Sequence, residues 1–145
     1  MLYERTIEVS CPPADAFAYV SDFARVSEWD PGVVESRSLG NGAALGVGSR
    51  FELVTLFRGK RQRFEYVVTA FDEGRSRIRL LGEGEKARSR DEIRVDRVAG
   101  RTRISYEAEI RLKGVLRAAE PFLGRTFRRM GDAALDGLRQ RLDER

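Results

Sequence analysis

Asp91 is the residue whose place in the sequence pattern points most directly to a chemical role. In ARSRDEIRVDRV, Ser89 and Asp91 share the apolar side with Ile93, while the residues between them are charged. Desolvation there would raise the pKa of the Asp91 carboxyl, and an adjacent arginine would lower it, so Asp91 is a candidate general acid or base, or an anchor for a polar ligand group. The sequence somewhat favours the alternative, a strand end in solvent where a bulge shifts the alternation by one residue.

Two tyrosines are the best hydrogen-bond donors for a ligand that carries a carbonyl group. Tyr66 and Tyr106 each combine an apolar ring with a hydroxyl that finds a partner when it is buried. Their hydroxyls could equally be satisfied by neighbouring backbone. If the protein is an enzyme, Asp91, Tyr66 and Tyr106 are its candidate catalytic residues.

The composition excludes several kinds of site. The chain has no histidine, the commonest general base and metal ligand, so we expect no metal and no cofactor. Its single cysteine, Cys11, is expected to be a buried structural thiol. The 27 basic and 23 acidic residues give a net charge of +4 and are scattered along the chain, whereas a nucleic-acid surface would cluster them, so no nucleic-acid partner is expected.

The only tryptophan lies just before a helix-breaking Asp-Pro-Gly segment. In SDFARVSEWDPGV, Trp29 follows helix-forming residues and precedes Asp-Pro-Gly. Pro31 and Gly32 must end any helix, because proline lacks a backbone donor and restricts the residue before it. Trp29 at this helix end is either a core plug or the wall of a pocket.

Periodicity assigns the elements that must position these residues. Residues 3–9 alternate as a half-buried strand, and the segment after Pro13 has apolar residues at helical spacing, with a further turn in ARVSEW. Six strand-like runs follow, and RVAGRTR is a hairpin. Apolar residues then recur every three or four positions from Leu116 to Leu142, which predicts a long helix that restarts at Pro121.

This order describes one α+β domain spanning residues 1–145. No apolar run is long enough for a membrane span, and the first residues do not resemble a signal peptide, so a cytoplasmic protein is expected.

Gly124, Gly131 and Gly137 weaken the long helix. On a buried helix face they would let backbone come close or leave room above a cavity, whereas on an exposed face they are merely tolerated. The oligomeric state is left open, a homodimer included.

The order of elements, read with four segments, resembles the START-like (SRPBCC) superfamily, in particular its polyketide cyclase/dehydrase and lipid-transport branch. The segments are IEVSCPPADAFAYVSDFARVSEWDPGV, VGSRFEL, GRTRISYEAEI and LRQRLDER. The resemblance implies a helix-grip fold: a seven-stranded curved antiparallel sheet wrapped around a long C-terminal helix, with two short helices between strands 1 and 2. It also implies a deep cavity for apolar molecules, with Trp29 at its mouth.

The expected cavity wall combines inward strand positions with the C-terminal helix. The predicted ligand-binding residues are Trp29, Phe51, Leu53, Phe64, Tyr66, Val68, Asp91, Ile93, Tyr106, Phe127 and Met130. An inward apolar residue is needed for folding whether or not a pocket exists, so each of these could equally be core.

Three functions remain open. The preferred one is binding or transport of a hydrophobic or aromatic small molecule, lipid-like or polyketide-like. The second is a polyketide cyclase or dehydratase that uses a cavity aspartate or tyrosine. The third is a protein-binding domain with a collapsed cavity, for which GRTFRRM supplies arginines.

Overall fold

A curved sheet of seven antiparallel strands is the largest element of the fold, and the computed structural model describes residues 1–40 and 42–145. The spatial order is β1-β7-β6-β5-β4-β3-β2, so the strands after β1 form a meander and β1 closes its far edge. The strands are β1 Leu2–Val9, β2 Val33–Ser38, β3 Arg50–Phe57, β4 Lys60–Asp72, β5 Arg77–Gly84, β6 Ala87–Val98 and β7 Arg101–Leu112.

Helical segments lie between β1 and β2 and after β7. The first group is α1 Pro13–Ser21, a 3₁₀ turn Phe23–Arg25 and α2 Val26–Trp29; the second is a 3₁₀ helix Gly114–Ala119 followed by α3 Glu120–Asp143. This arrangement is the predicted helix-grip α+β fold, which the structure confirms. The predicted restart of the long helix near Pro121 corresponds to the junction between the 3₁₀ helix and α3.

The hairpin predicted between β6 and β7 is a two-residue turn. Val98 pairs with Arg101, and the two residues between them have positive φ, 52° at Ala99 and 78° at Gly100. Such turns match the twist of the flanking strands, and glycine adopts this conformation without strain.

Helix α3 is held against the sheet by apolar burial and by an ion pair. Leu135, Leu138 and Leu142 are buried in the core. Arg5 of β1 bonds Asp136 at 2.7 Å. These leucines belong to the apolar stripe from which the helix was predicted, and the ion pair ties α3 to β1.

The three helix glycines divide between the two alternatives that the sequence left open. A Cβ on Gly131 would lie 2.6 Å from the ring of Tyr3, and one on Gly137 would overlap the carbonyl oxygen of Trp29. A Cβ on Gly124 would meet no atom within 4 Å. Close approach therefore accounts for Gly131 and Gly137 but not for Gly124.

None of the helices in the described part of the chain has the length and apolar character to cross a membrane.

Candidate functional site

A cavity of about 420 Å³ lies between the concave face of the sheet and α3. Its wall is mostly apolar and combines residues of strands β1 to β4, β6 and β7 with the short helices and α3. This space does not fit the alternative of a collapsed cavity. Besides the residues discussed below, the lining includes Phe23, Val26, Val33, Ala108, Ile110, Leu112, Ala134 and Leu135.

One end of the cavity, which we call the mouth, is lined by charged residues from two strand connections. Arg58 belongs to the β3–β4 turn, Lys60 is the first residue of β4, and Lys86 belongs to the β5–β6 turn. Beside this end, the rings of Phe57 and Phe127 stack with centroids 5.4 Å apart and planes 13° apart. The stack joins the end of β3 to α3, and both rings line the cavity.

Deeper in the cavity, Asp91 is the centre of a polar cluster. The Ser89 hydroxyl donates to Asp91 Oδ1 at 2.6 Å, and the Tyr106 hydroxyl donates to Asp91 Oδ2 at 2.5 Å. Ile93 of β6 is directly opposite Tyr106 of β7, so Asp91 is diagonal to the tyrosine and within reach of its long side chain. Both carboxylate oxygens therefore have a donor.

The bulge that the sequence favoured at this point of β6 is absent. Residues 87–98 pair with β7 without a shift of register, and Asp91 is only 7 % exposed. The preferred expectation of a solvent-exposed Asp91 is therefore wrong, and the inward alternative is right. Strands on both sides of β6 hold its register, which is why the alternation continues without a slip.

The buried environment shifts the pKa values of Asp91 and of Tyr106, which is hydrogen-bonded to it. Burial raises the pKa of the Asp91 carboxyl, although the hydroxyls of Ser89 and Tyr106 lower it. Burial and the charge of Asp91 raise the pKa of Tyr106 well above its usual value. Burial acts because a charged group loses hydration in an apolar wall, and the charge of Asp91 acts because it repels a phenolate. Tyr106 is therefore a neutral donor across the physiological range.

Tyr66 reaches the same cluster from β4 because the strand between them lacks a side chain. Gly82 of β5 is paired with Tyr66 on one side and with Ser89 on the other. A Cβ on Gly82 would lie 2.6 Å from the Tyr66 ring, so the ring occupies the space above the glycine. Burial and the charge of Asp91 raise the pKa of Tyr66, and the Ser89 hydroxyl lowers it.

Phe64 rests on β5 in the same way, two residues further along that strand. It is paired with Gly84, where a Cβ would lie 2.8 Å from the Phe64 ring. The rings of Tyr66 and Phe64 thus pack directly against the backbone of Gly82 and Gly84. Neither glycine was among the candidate site residues, although glycine inside a strand indicates close approach of another group.

Asp30 is a second carboxyl in the cavity wall, which the sequence analysis did not include among the candidate site residues. Its Oδ1 accepts the backbone N–H of Gly32 at 2.8 Å, a contact that shapes the turn into β2. Burial raises the pKa of Asp30 to about 6; the N–H of Gly32 lowers it and the charge of Asp91 raises it. Its position before Pro-Gly, next to Trp29, is the signal that could have identified it.

Trp29 lies at the inner end of the cavity rather than at the mouth, where the resemblance placed it. The ring is 5 % exposed and meets the edge of Tyr106 with centroids 6.5 Å apart. Its main chain contacts α3 at Gly137, 14 residues beyond Leu123, or about 21 Å along a helix. The indole Nε1 is buried without an acceptor among the described residues.

Most of the predicted wall residues line the cavity, and three do not. Those that do are Trp29, Leu53, Phe64, Tyr66, Asp91, Tyr106, Phe127 and Met130. Phe51, Val68 and Ile93 are buried core residues outside the lining. The Phe51 ring packs against Phe23, and α1 covers part of β6 and β7, so the sheet's concave face is shared between core and cavity. Whether any of these residues binds a ligand stays a prediction.

The polar groups of the site are suited to hydrogen bonding. Within residues 1–40 and 42–145, no three side chains of the histidine, cysteine, aspartate or glutamate type come together in a way that could hold a metal ion. The polar groups of the inner wall named above are two carboxyls, three hydroxyls and the indole N–H of Trp29. They can accept, donate and hold protons at the end of an apolar chamber.

A curved seven-stranded sheet closed by a C-terminal helix over an apolar chamber defines the helix-grip class of START-like proteins. The sequence agrees at the family level. Residues 2–143 match the family described as polyketide cyclase / dehydrase and lipid transport, and the chain belongs to it. The curated proteins contain no sequence that matches this chain.

Solved structures with the same fold cover nearly the whole chain. An aromatase/cyclase, Zhui, from Streptomyces sp. R1128 superposes with a TM-score of 0.83 at 15% identity, covering 100% of this chain and 94% of that one. A START superfamily protein from Mycobacterium smegmatis gives 0.81 at 14% identity, with 99% and 97% covered. A protein from Thermus thermophilus gives 0.82 at 16% identity, with 98% and 97% covered. At these identities the likeness concerns the fold alone.

Proposed function

We propose that this protein is a cytoplasmic binding protein that holds an apolar or aromatic small molecule bearing oxygen groups. The observation that carries the proposal is an apolar chamber whose deep polar groups are gathered into one cluster around Asp91. A site of this kind binds by shape and burial, and a few polar groups fix the orientation of the ligand. A volume of about 420 Å³ is in the range of small-molecule sites.

The protonation state of the tyrosines supports an oxygen-bearing ligand. The raised pKa of Tyr66 keeps its hydroxyl neutral, so it can donate a hydrogen bond to a ligand, whereas the single hydroxyl proton of Tyr106 is already donated to Asp91. A carbonyl or phenol oxygen accepts such bonds, and the buried N–H of Trp29 is a further donor at the same end. A pure hydrocarbon would offer no acceptor to the Tyr66 hydroxyl or to the Trp29 N–H, and a buried donor without a partner costs free energy.

Two measurements test this proposal. Native mass spectrometry of the purified protein, compared with its denatured mass, would reveal a co-purified apolar molecule. Titration of Trp29 fluorescence with fatty acids, sterols and aromatic polyketides would then give a saturable change for one class. Because Trp29 lines the cavity, its emission reports on occupancy directly.

A matched pair of tyrosine variants separates a cavity contact from a general effect. Tyr66→Phe removes a hydroxyl from the cavity wall and should weaken binding by about tenfold, the value of one hydrogen bond. Tyr19→Phe removes the hydroxyl of another buried tyrosine, bonded to Glu28 at 2.9 Å outside the cavity, and should leave the affinity unchanged. A fluorescence response to none of the three classes, with no retained molecule, would contradict the proposal.

A second candidate function is a proton-transfer enzyme of the cyclase or dehydratase type. Two inner-wall carboxyls favour it: Asp30, with its pKa raised to about 6, and Asp91, hydrogen-bonded to Tyr106. A base whose pKa lies near the working pH transfers protons efficiently, and the cavity would hold a flexible chain in a reactive fold. The aromatase/cyclase with the same fold gives this reading a substrate class.

Turnover of a poly-ketone substrate distinguishes the enzyme from the carrier. For an enzyme, Asp30→Asn should lower kcat by about a hundredfold, with substrate still bound, and should remove a limb of the pH profile near 6. If the polyketide binds at full affinity but is not converted, the enzyme function is excluded and the carrier function remains.

A further inference from the structure

Two large apolar side chains at the start of the C-terminal helical region are almost completely exposed. Val115 in the 3₁₀ helix is 91% exposed, and Phe122 in the first turn of α3 is 85% exposed. Other residues of the same segment, such as Leu123, are turned inward. Together we call Val115 and Phe122 the rim pair. An aromatic ring and a valine held in water lose the free energy that burial would provide, so they mark a contact surface.

The rim pair borders the mouth of the cavity. Leu116, Ala119 and Leu123, which are the neighbours of the rim pair in sequence, line the cavity. The segment is also tied to the β5–β6 turn, because the N–H of Lys113 donates to the carbonyl oxygen of Lys86 at 2.9 Å. A surface that covers the rim pair would therefore lie over the opening.

Unpaired positive charges surround this opening. The nearby carboxylates are engaged: Glu83 pairs with Arg88 and Lys113, and Glu120 accepts the N–H of Leu112. In the described part of the chain, the cations of the mouth and rim that form no ion pair are Arg58, Lys60, Lys86, Arg117 and Arg125. Glu85 is the one acidic residue of the β5–β6 turn left to oppose them.

We propose that the mouth docks on the surface of an anionic lipid bilayer, with Val115 and Phe122 inserted among the lipids and the surrounding arginines and lysines at the headgroups. Interfacial binding of this kind combines buried apolar area with attraction between basic residues and anionic lipids. Docking would place the opening against the phase in which apolar molecules dissolve. The inference deepens the proposed function and rests on it for its purpose, but bilayer binding itself requires no ligand.

A second copy of this chain fits the surface less well. A stable interface buries about 800 Å² per partner, and two exposed apolar side chains supply only part of that area. Two copies facing each other through this surface would also bring their unpaired cations together, and like charges repel. An anionic bilayer has the complementary charge and no minimum area.

Sedimentation with vesicles tests the docking. Vesicles of phosphatidylcholine and phosphatidylglycerol in a ratio of about three to one should bind the protein, and vesicles of phosphatidylcholine alone should bind it at least about tenfold more weakly. Phe122→Ser should lower the partition coefficient on the anionic vesicles by about tenfold, since one inserted aromatic side chain is lost. Arg117→Gln should lower it by about fivefold.

Matched controls lie at the opposite end of the sheet. Val47 is 69% exposed in the β2–β3 loop and precedes the end of β3 that is remote from the mouth. Val47→Ser should therefore bind vesicles as tightly as the wild type, whereas Val115→Ser should bind them more weakly. Arg97, near the β6–β7 hairpin, is the corresponding control for Arg117. Equal loss in the Val115 and Val47 variants would overturn the proposal.

Other results also decide against docking on lipid. No sedimentation with anionic vesicles would refute it. So would a dimer in analytical ultracentrifugation that Phe122→Ser dissociates, because the rim pair would then serve a second copy. The rim residues lie outside the cavity lining, so the Trp29 titration of Phe122→Ser in solution shows separately whether ligand binding has survived.

Discussion

The backbone of α3 at Gly137 lies directly against the carbonyl oxygen of Trp29, so close that a Cβ on the glycine would overlap that oxygen. The contact has a functional side, because Trp29 and the adjacent Asp30 form the inner end of the cavity. The Nε of Arg141, one turn along α3, donates to the carbonyl oxygen of Glu28 at 2.8 Å and holds the same segment. The position of α3 and the shape of the cavity end are therefore linked.

Gly137→Ala should lower the free energy of unfolding by about 3 kcal/mol or more, since the new methyl group must displace backbone. Gly124→Ala on the same helix is the control. A Cβ there meets open space, so the better helix propensity of alanine should raise stability by up to about 1 kcal/mol. Urea denaturation of both variants measures the difference, and equal effects would contradict the role given to the Trp29 contact.

Gly82→Ala should push the Tyr66 ring away from the polar cluster, because its Cβ would lie 2.6 Å from that ring. We expect a loss of about 1–3 kcal/mol in unfolding free energy, together with weaker ligand binding in the Trp29 titration. Gly46→Ala in the β2–β3 loop, where no atom lies within 4 Å, should change neither quantity. Unchanged binding by Gly82→Ala would mean that Tyr66 does not contact the ligand.

Asp30 should make the protein less stable as the pH rises. Its pKa is 3.8 in the reference state and about 6 in the folded protein, so between these values the folded chain holds more protons than the unfolded chain, and the free energy of unfolding falls with pH. One pKa unit is worth about 1.4 kcal/mol, so the total is about 3 kcal/mol.

Asp30→Asn removes this titration while it keeps an oxygen for the N–H of Gly32. Urea denaturation between about pH 4 and pH 7 should therefore give a flatter profile and a more stable protein at neutral pH. Asp96→Asn, at an exposed position of β6, should retain the wild-type slope. A slope that persists in Asp30→Asn would assign it to another group, Asp91 first.

Tyr106→Phe should leave Asp91 Oδ2 without its donor. We expect a loss of about 1–3 kcal/mol, the cost of a buried polar atom whose partner is removed. Because the Tyr106 hydroxyl lowers the pKa of Asp91, its removal should raise that pKa further, and the loss should grow as the pH rises through the ionisation of Asp91. Denaturation at two pH values measures this, and a loss independent of pH would contradict it.

Local patterns predicted the elements well. Alternation identified β1 and the six strands of the meander, the Ala-Gly pair identified the β6–β7 turn, and the spacing of three and four identified α3. These signals depend on neighbours in sequence, because side chains alternate in a strand and recur every 3.6 residues in a helix. The inward side of Asp91 was visible in the same alternation, but the sequence did not decide against a bulge.

Which inward residues face a void and which face core was decided by the tertiary structure. Phe51, Val68 and Ile93 obey the same alternation as Leu53, Phe64 and Asp91, yet only the second group lines the cavity. The difference lies in what covers each part of the concave face, and residues far apart in sequence supply that cover. Periodicity in the sequence therefore predicted the strands and the C-terminal helix, and the family resemblance implied the curved sheet. The placing of Asp30 and Asp91 in one cavity wall, and the contact of Gly137 with Trp29, required the chain to be folded.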